Sequence, residues 1–248
     1  MNILVSQPQP TDLEKSPYGD LTRKYNVEID FHKFINIEGI PSKEFRQSRI
    51  NLLEFSAVIF TSRNAVDHYF RMAKELRADI PQTMKYFCMS ESTAFYLQKY
   101  VQYRKRKIFH GKQSFDDLME IIRKHKEEKY LLPCSDIHKA SISKMLDDNA
   151  VSYTKGIFYK TLASDLSHID IKKYDMLIFF SPSGIASLFK NFPEFKQNST
   201  VIGAFGPTTT KAVKDAGLTL NIEAPTKTAP SMTMAIEEFL QKNIKKTR

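Results

Sequence analysis

Cysteine and tryptophan are the residues that this sequence of 248 amino acids has least of. It contains no tryptophan and only two cysteines, Cys88 and Cys134. Their spacing matches no metal site, and so few thiols fit a reducing compartment. Cys134, in LLPCSD, has no histidine placed as in known cysteine nucleophile signatures, so we interpret it as a small residue that ends a strand. The six histidines show no metal spacing either, and we therefore expect no metal.

Long apolar runs are also missing. No apolar segment approaches the ~18–20 residues that are needed to cross a bilayer. The opening segment, MNILVSQPQP, lacks a basic region followed by a long apolar core, so it does not resemble a signal peptide. We therefore expect a cytoplasmic protein with no membrane partner. Because no heptad repeat or wide apolar stripe is evident, we also expect a monomer.

Two phosphate-binding motifs are absent. The segment GPTTTK does not satisfy the Walker pattern GxxxxGK[ST], and GxGxxG does not occur. These absences disfavour a phosphate-loop nucleotidase and a dinucleotide cofactor.

The composition does provide for a substantial core and a positive charge. Hydrophobic residues make up 42% of the chain and include 18 phenylalanines, which excludes a disordered protein. The net charge of +9 favours a polyanionic partner: nucleic acid, an anionic membrane, or a small molecule with several carboxylates or phosphates. Part of the charge lies in the run Tyr103–Lys107, YRKRK. No nucleic-acid recognition module surrounds this run, so a nucleic-acid partner remains an alternative that we do not expect.

Apolar runs alternate with helical patterns along most of the chain, which favours parallel sheets with crossover helices. In DMLIFFSPSGIASLFKNF, the run from Met176 to Phe180 is typical of a strand that is buried on both faces. Either Ser181 or Ser183 can cap the helix that follows, and Gly184 adds no side-chain bulk there. The free N–H groups at such a helix start favour anions.

The chain also repeats itself. VIFTSRNAV matches LIFFSPSGI, SESTAFYL matches GPTTTKAV, and GKQSFDDLMEII matches KTAPSMTMAIEEF. The aligned positions are 58 and 177, 90 and 206, and 114 and 231, which lie 119, 116 and 117 residues apart. Three consecutive matches at nearly one offset predict two similar α/β domains whose repeated loops face each other.

The opening segment determines how the two domains are connected. NILVSQPQPTDLEKSPYGDLTRKYNVEIDF is most similar to YLLPCSDIHKASISKMLDDNAVSYTKGIFY, which comes at the end of the first repeat. This order predicts that one domain is inserted into the other. We expect a discontinuous domain of residues 1–35 and 160–248, an inserted domain of residues 40–155, and linkers at 36–39 and 156–159. A cleft between two domains is a common ligand site.

These segments resemble a known family. The chain resembles uroporphyrinogen-III synthase in five segments, which occur in this order: FTSRNAV, FYKT, FFSPSG, GPTTTKAVKDAGL and APTKTAPSMTMAI. The resemblance implies two similar flavodoxin-like parallel-sheet domains, joined by a two-segment extended linker with a cleft between them. The YRKRK run and the segment SQPQPTDLEKSPYGDL are not part of the resemblance.

The resemblance also implies an activity. The family comprises lyases of tetrapyrrole (heme) biosynthesis that cyclise hydroxymethylbilane to uroporphyrinogen III, with inversion of ring D and loss of water. They use no metal and no organic cofactor, and their substrate is a small polycarboxylate. A protein that keeps both domains but only binds a polyanionic small molecule, without catalysis, is the main alternative.

The resemblance implies roles for particular residues. Tyr159, in FYKT, is predicted to donate a hydrogen bond or a proton to the departing hydroxyl; the alternative is a tyrosine packed at a strand end. The residues predicted to contact substrate carboxylates are Thr61, Ser62, Arg63, Thr93, Ser181, Ser183, Gly184, Thr208 and Thr209. Thr93, Thr208 and Thr209 are also candidate helix N-caps, and Arg63 is also a candidate surface residue. Ser114 and Ser231 are predicted to be caps only.

Overall fold

The computed structural model describes residues 1–112, 114–138 and 140–246, which form alternating strands and helices. The strands are β1 (Asn2–Val5), β2 (Glu28–Phe31), β3 (Ile35–Gly39), β4 (Ala57–Phe60), β5 (Lys85–Cys88), β6 (Ile108–His110), β7 (Tyr130–Ser135), β8 (Tyr153–Ala163), β9 (Met176–Phe179), β10 (Val201–Phe205) and β11 (Ile222–Ala224). The helices are α1 (Pro17–Tyr25), α2 (Ser42–Gln47), α3 (Arg63–Leu76), α4 (Glu91–Leu97), α5 (Phe115–Ile122), α6 (Ala140–Asp148), α7 (Pro182–Asn191), α8 (Pro207–Asp215) and α9 (Met232–Lys246). Within these described ranges, no helix combines the length and the apolar character that a membrane span requires.

The chain divides into two compact units. Unit 1 comprises Met1–Asn36 and Leu162–Arg248, and unit 2 comprises Ile37–Thr161. The sheet of unit 1 has the strand order β11-β10-β9-β1-β2, and each of its neighbouring pairs is parallel. In chain order this is 2-1-3-4-5, the order of a flavodoxin-like sheet. The predicted α/β class with parallel sheets is therefore confirmed.

The sheet of unit 2 has the strand order β3-β8-β7-β4-β5-β6. Its pairs β4–β5, β4–β7, β5–β6 and β7–β8 are parallel. If the strands are counted in the sequence β7, β8, β4, β5, β6, they too follow the order 2-1-3-4-5. Unit 2 is thus a circular permutation of unit 1, with β7 in the place of β1. The internal match between the segments that contain β1 and β7 predicts this relation.

The segments predicted as linkers are strand residues. Residues 36–39 lie in β3 and residues 156–159 lie in β8, and these two strands are neighbours in the sheet of unit 2. Just beyond β3, the Ile40 N–H donates to the Phe158 carbonyl at 3.1 Å. Extended residues beside a sheet satisfy their backbone groups by joining it, which explains why they do not remain separate from unit 2. The chain passes between the units at residues 36–37 and 161–162.

The central strands of both units are buried on both faces. In β4, Val58 and Phe60 pack into one apolar cluster, and Ala57 and Ile59 pack into another on the opposite face. The four residues of β9 alternate in the same way and are all buried. This pattern is typical of parallel strands that have helices on both sides. The loops that follow β4 and β9 therefore begin at buried strand ends.

Candidate functional site

A cavity of about 310 Å³ lies at the carboxyl ends of β4 and β7 in unit 2. The chain runs from β4 to β5 and β6 on one side of β4, whereas β7 and β8 lie on the other side, so the strand order reverses between β4 and β7. Ligands of parallel α/β sheets bind at such reversal points. The lining residues are Thr61, Ser62, Met89, Leu132, Cys134, Ser135, Ile137, His138, Ile142 and Tyr159.

Tyr159 lies on β8 with 7% of its surface exposed. Its hydroxyl is 3.5 Å from the Ser62 Oγ, and its ring stacks on His68 with a centroid separation of 4.9 Å. Burial raises the pKa of the Tyr159 phenol, and the contact with Ser62 opposes that rise. The phenol is therefore neutral at pH 7 and can donate a hydrogen bond into the cavity.

Ser62 is the N-cap of α3, where its Oγ accepts a hydrogen bond from the Ala65 N–H at 3.2 Å. Thr61 lies beside it on the cavity wall. Arg63, the first residue of α3, is exposed, and its guanidinium lies 5.4 Å from the centre of the Tyr96 ring. Arg63 has no carboxylate partner in the part of unit 2 that the structure describes. It is available to bind an anion at the start of α3.

Thr93 is not a helix cap. The N-cap of α4 is Ser90, whose Oγ accepts from the Thr93 N–H at 3.3 Å. The Thr93 side chain is buried, and its hydroxyl lies 3.1 Å from the Ser90 Oγ. The alternative interpretation of Thr93 as a cap is therefore wrong. β5 ends at Cys88 and α4 begins at Glu91, so Ser90 is the residue that directly precedes the helix. The Thr93 hydroxyl is engaged within its own loop.

In unit 1, Ser181 rather than Ser183 caps α7. The Ser181 Oγ accepts from the Gly184 N–H at 3.2 Å, while Ser183 is half-buried in the first turn. A Cβ atom at Gly184 would stand 3.4 Å from the Phe179 ring, in tight contact. Gly184 is buried and its N–H is already bonded to Ser181, so an anion at this helix start can bind only the other N–H groups of the first turn.

The next strand of unit 1 leads to a different kind of helix start. The N-cap of α8 is Gly206, with φ at 85° and no capping side chain. Thr208 is exposed in the first turn, whereas Thr209 is 1% exposed. The threonines are therefore not N-caps, and only Thr208 presents its hydroxyl to solvent. Because β9 and β10 are neighbours in the sheet, the starts of α7 and α8 lie at the same edge.

Two histidines of unit 2 belong to this region, and neither of them is among the site residues predicted from the sequence. His138 lines the cavity; its Nε2 is 2.9 Å from the Lys155 Nζ, and its buried Nδ1 has no hydrogen-bond partner among the described residues. His68 supports the Tyr159 ring, and burial lowers the pKa of its imidazole, so the stack is with a neutral ring at pH 7. In the sequence, His138 could be found as a candidate site residue from its position just after the run YLLPCS, which forms a buried strand.

Neither thiol nor metal chemistry finds support in these residues. Burial raises the pKa of the Cys134 thiol to about 11, and the thiol donates to the Gly156 carbonyl at 3.3 Å. Among the described residues, His125, Glu127 and Glu128 bring possible ligand atoms within 4.8 Å of one another. Glu128 is already paired with Lys85, so we assign no metal to this group.

Comparison with known proteins gives a consistent result. The family model described as "Uroporphyrinogen-III synthase HemD" matches residues 18–234. The structure of a uroporphyrinogen-III synthetase from Helicobacter pylori is 20% identical, with a TM-score of 0.62, and the alignment covers 97% of this chain and 99% of that one. A mutant uroporphyrinogen III synthase from Thermus thermophilus is 13% identical, with a TM-score of 0.60 and coverage of 98% and 99%. No curated protein sequence matches.

Proposed function

The chain belongs to the uroporphyrinogen-III synthase family, and we propose that it cyclises hydroxymethylbilane to uroporphyrinogen III, with inversion of ring D and loss of water. The observation that carries the proposal is the neutral Tyr159 hydroxyl in the cavity at the strand reversal of unit 2, 3.5 Å from the Ser62 Oγ. The family match supports this substrate class, and the cavity supports a location for the hydroxymethyl end of the substrate.

The substrate carries eight carboxylates, and the protein offers several groups that suit them. The starts of α3, α7 and α8 each leave backbone N–H groups free, and the positive end of each helix dipole lies behind them. Arg63 adds a full positive charge at the start of α3. The net charge of +9 attracts a polycarboxylate over a longer range, an effect that salt weakens.

The chemical step begins at the hydroxymethyl group of the substrate. Its C–O bond breaks, the oxygen leaves as water after taking up one proton, and the pyrrole nitrogen gives up one proton, which yields an azafulvene. The Tyr159 hydroxyl is suited to donate a hydrogen bond to the departing oxygen, because burial keeps the phenol neutral. Since the raised pKa disfavours a buried phenolate, we assign Tyr159 the role of a hydrogen-bond donor rather than that of an acid which loses its proton.

After water is lost, the protein must control the conformation of the substrate. The ring D carbon that bears the chain attacks the azafulvene, a spiro intermediate forms and fragments, and the macrocycle closes in the inverted sense. Closure without inversion competes with this route. A protein that holds the chain in the conformation for the spiro route gains its rate from positioning, which can lower a barrier by several kcal/mol.

The test is to supply hydroxymethylbilane and measure the products. We expect uroporphyrinogen III with the protein, and the uninverted isomer I when the protein is omitted. Tight binding of hydroxymethylbilane with isomer I as the only product would instead identify a non-catalytic binder. Salt-sensitive binding of oligonucleotides without formation of isomer III would favour the nucleic-acid alternative through Tyr103–Lys107.

A further inference from the structure

A second cavity, of about 450 Å³, lies in unit 2 at the opposite end of the sheet strands from the candidate site. Met84 and Tyr86 line it from the start of β5, and Lys107 and Ile108 line it from the start of β6. The candidate site, in contrast, lies where β4 and β7 end. We term this second cavity the β5–β6 pocket. Its volume is typical of sites for small organic ligands.

One wall of the β5–β6 pocket is aromatic and apolar. The rings of Phe70 and Tyr100 lie parallel there, with centroids 4.6 Å apart and an interplanar angle of 5°. Ala73, Met84 and Val101 continue the apolar lining. Because the two rings cover each other's facing sides, the wall offers ring edges and an outer ring face. An aromatic body can pack against either and lose water-exposed apolar surface.

The rim of the β5–β6 pocket is positively charged. Lys74, Arg104 and Lys107 contribute three cations, and Asp79 contributes one carboxylate. In the part of the chain that the structure describes, none of the three cations forms an ion pair. Lys107 donates to the Gln82 carbonyl, whereas the side chains of Lys74 and Arg104 have no such engagement with a described residue. The rim therefore complements an anion.

A tyrosine whose hydroxyl has no protein partner lies on the lining between the wall and the sheet. Tyr86 is 5% exposed, and its phenol forms no hydrogen bond to any described residue. Its ring is held by a parallel stack on Phe60, at 5.9 Å. Burial raises the pKa of this phenol, so it is a neutral donor. Because Tyr86 lines the pocket, its hydroxyl can donate a hydrogen bond to a ligand acceptor there.

We propose that the β5–β6 pocket binds a small planar aromatic carboxylate. The aromatic body would lie on the wall formed by Phe70 and Tyr100, and the carboxylate would pair with Arg104 and Lys74. This site gives a role to part of the basic run Tyr103–Lys107, which the proposed cyclisation does not use. The site does not depend on the proposed cyclisation.

The probe is 1-naphthoate, with the neutral 1-naphthamide as its matched control, added to the full chain. Isothermal titration calorimetry is expected to show binding of 1-naphthoate that is at least about fivefold tighter than binding of the amide, since the amide forms no ion pair with Arg104 or Lys74. Amide resonances of Ala73, Met84 and Val101 are expected to shift in NMR spectra, and those of Ser62 and Tyr159 are not.

Variants test the charge and the hydroxyl separately. Arg104→Gln and Lys74→Gln are each expected to weaken 1-naphthoate binding about threefold to tenfold. Arg106→Gln removes the same charge from an exposed residue that does not line the pocket, so it should leave binding nearly unchanged. Tyr86→Phe should weaken binding about threefold. The proposal is overturned if 1-naphthoate does not bind, if Arg104→Gln and Arg106→Gln behave alike, or if the shifted resonances belong to Ser62 and Tyr159.

Discussion

Replacement of Tyr159 by phenylalanine separates catalysis from stability. In the part of the chain that the structure describes, the Tyr159 hydroxyl has one hydrogen-bond contact, to the Ser62 Oγ at 3.5 Å, the outer limit for such a bond. Loss of that contact should cost less than about 1 kcal/mol, and the ring of the new phenylalanine would keep the packing of a residue that is 7% exposed. We therefore expect Tyr159→Phe to lower the melting temperature by no more than about 4 °C.

The same substitution should affect turnover much more. If the hydroxyl donates to the departing oxygen, its loss removes about 1.4–2.7 kcal/mol of transition-state stabilisation, which is about 10- to 100-fold in kcat. Burial raises the pKa of Tyr159, so its proton-bearing form persists as the pH rises. Deprotonation of Tyr159 should therefore not lower the kcat of the native protein between about pH 7 and 9.

The assay is formation of uroporphyrinogen III from hydroxymethylbilane, measured together with isomer I. Tyr153→Phe is the matched control, because Tyr153 lies on the same strand and its hydroxyl is 3.4 Å from the Ser143 carbonyl, outside the cavity. We expect the control to retain full activity. Unchanged formation of isomer III by Tyr159→Phe, with native stability, would refute the role assigned to Tyr159.

Three further predictions concern stability, and chemical denaturation measures each of them. Ser181→Ala should lower the free energy of unfolding by about 1 kcal/mol and Ser181→Gly by only a few tenths, because glycine is itself a tolerated N-cap; equal losses would contradict the capping argument. Gly206→Ala should lower the free energy of unfolding by about 1–3 kcal/mol, because few residues other than glycine adopt φ 85° and ψ 152°. If Gly206→Ala is no more destabilising than Gly184→Ala, backbone strain at Gly206 is excluded. Burial raises the pKa of Glu128, but hydrogen bonds to Lys85 and Ser56 and the nearby positive charge of Lys85 together outweigh burial and hold that pKa below its ordinary value. This pair therefore contributes stability above about pH 4.3 that disappears as the pH falls through the lowered pKa. Glu128→Gln should accordingly lower the free energy of unfolding by about 1–3 kcal/mol at pH 7 and by much less in acid below the lowered pKa. A difference that persists there would disprove the assignment.

Several features of the fold could be predicted because they depend on neighbours in the sequence. The buried run at β9 alternates between the two faces of its sheet, as a short apolar run implies. Ser114 caps α5, as predicted, and one of the two predicted candidates, Ser181, caps α7; each accepts from an N–H group only three residues ahead. The circular permutation of unit 2 also follows from the order of the matched segments, since each segment forms its strand and helix locally.

The candidate site could be predicted only in part. Ser62 and Tyr159 are 97 residues apart, and the parallel register of β7 and β8 determines which residue of β8 reaches the cavity. A shift of that register by one residue would turn Tyr159 to the other face of the sheet. Sequence patterns do not encode this register. Likewise, the buried Nδ1 of His138 is apparent only in the folded chain.

The sequence by itself determined the alternation of strands and helices, the cap at Ser114, the internal repeat and the family resemblance, because short-range hydrogen bonds and apolar periodicity carry that information. Only the tertiary structure decided that residues 36–39 and 156–159 join a sheet, that Ser90 and not Thr93 caps α4, and that the Tyr159 hydroxyl lies beside the Ser62 Oγ. These features depend on backbone pairing between distant segments, where a strand ends or aligns according to the hydrogen bonds that its neighbours offer.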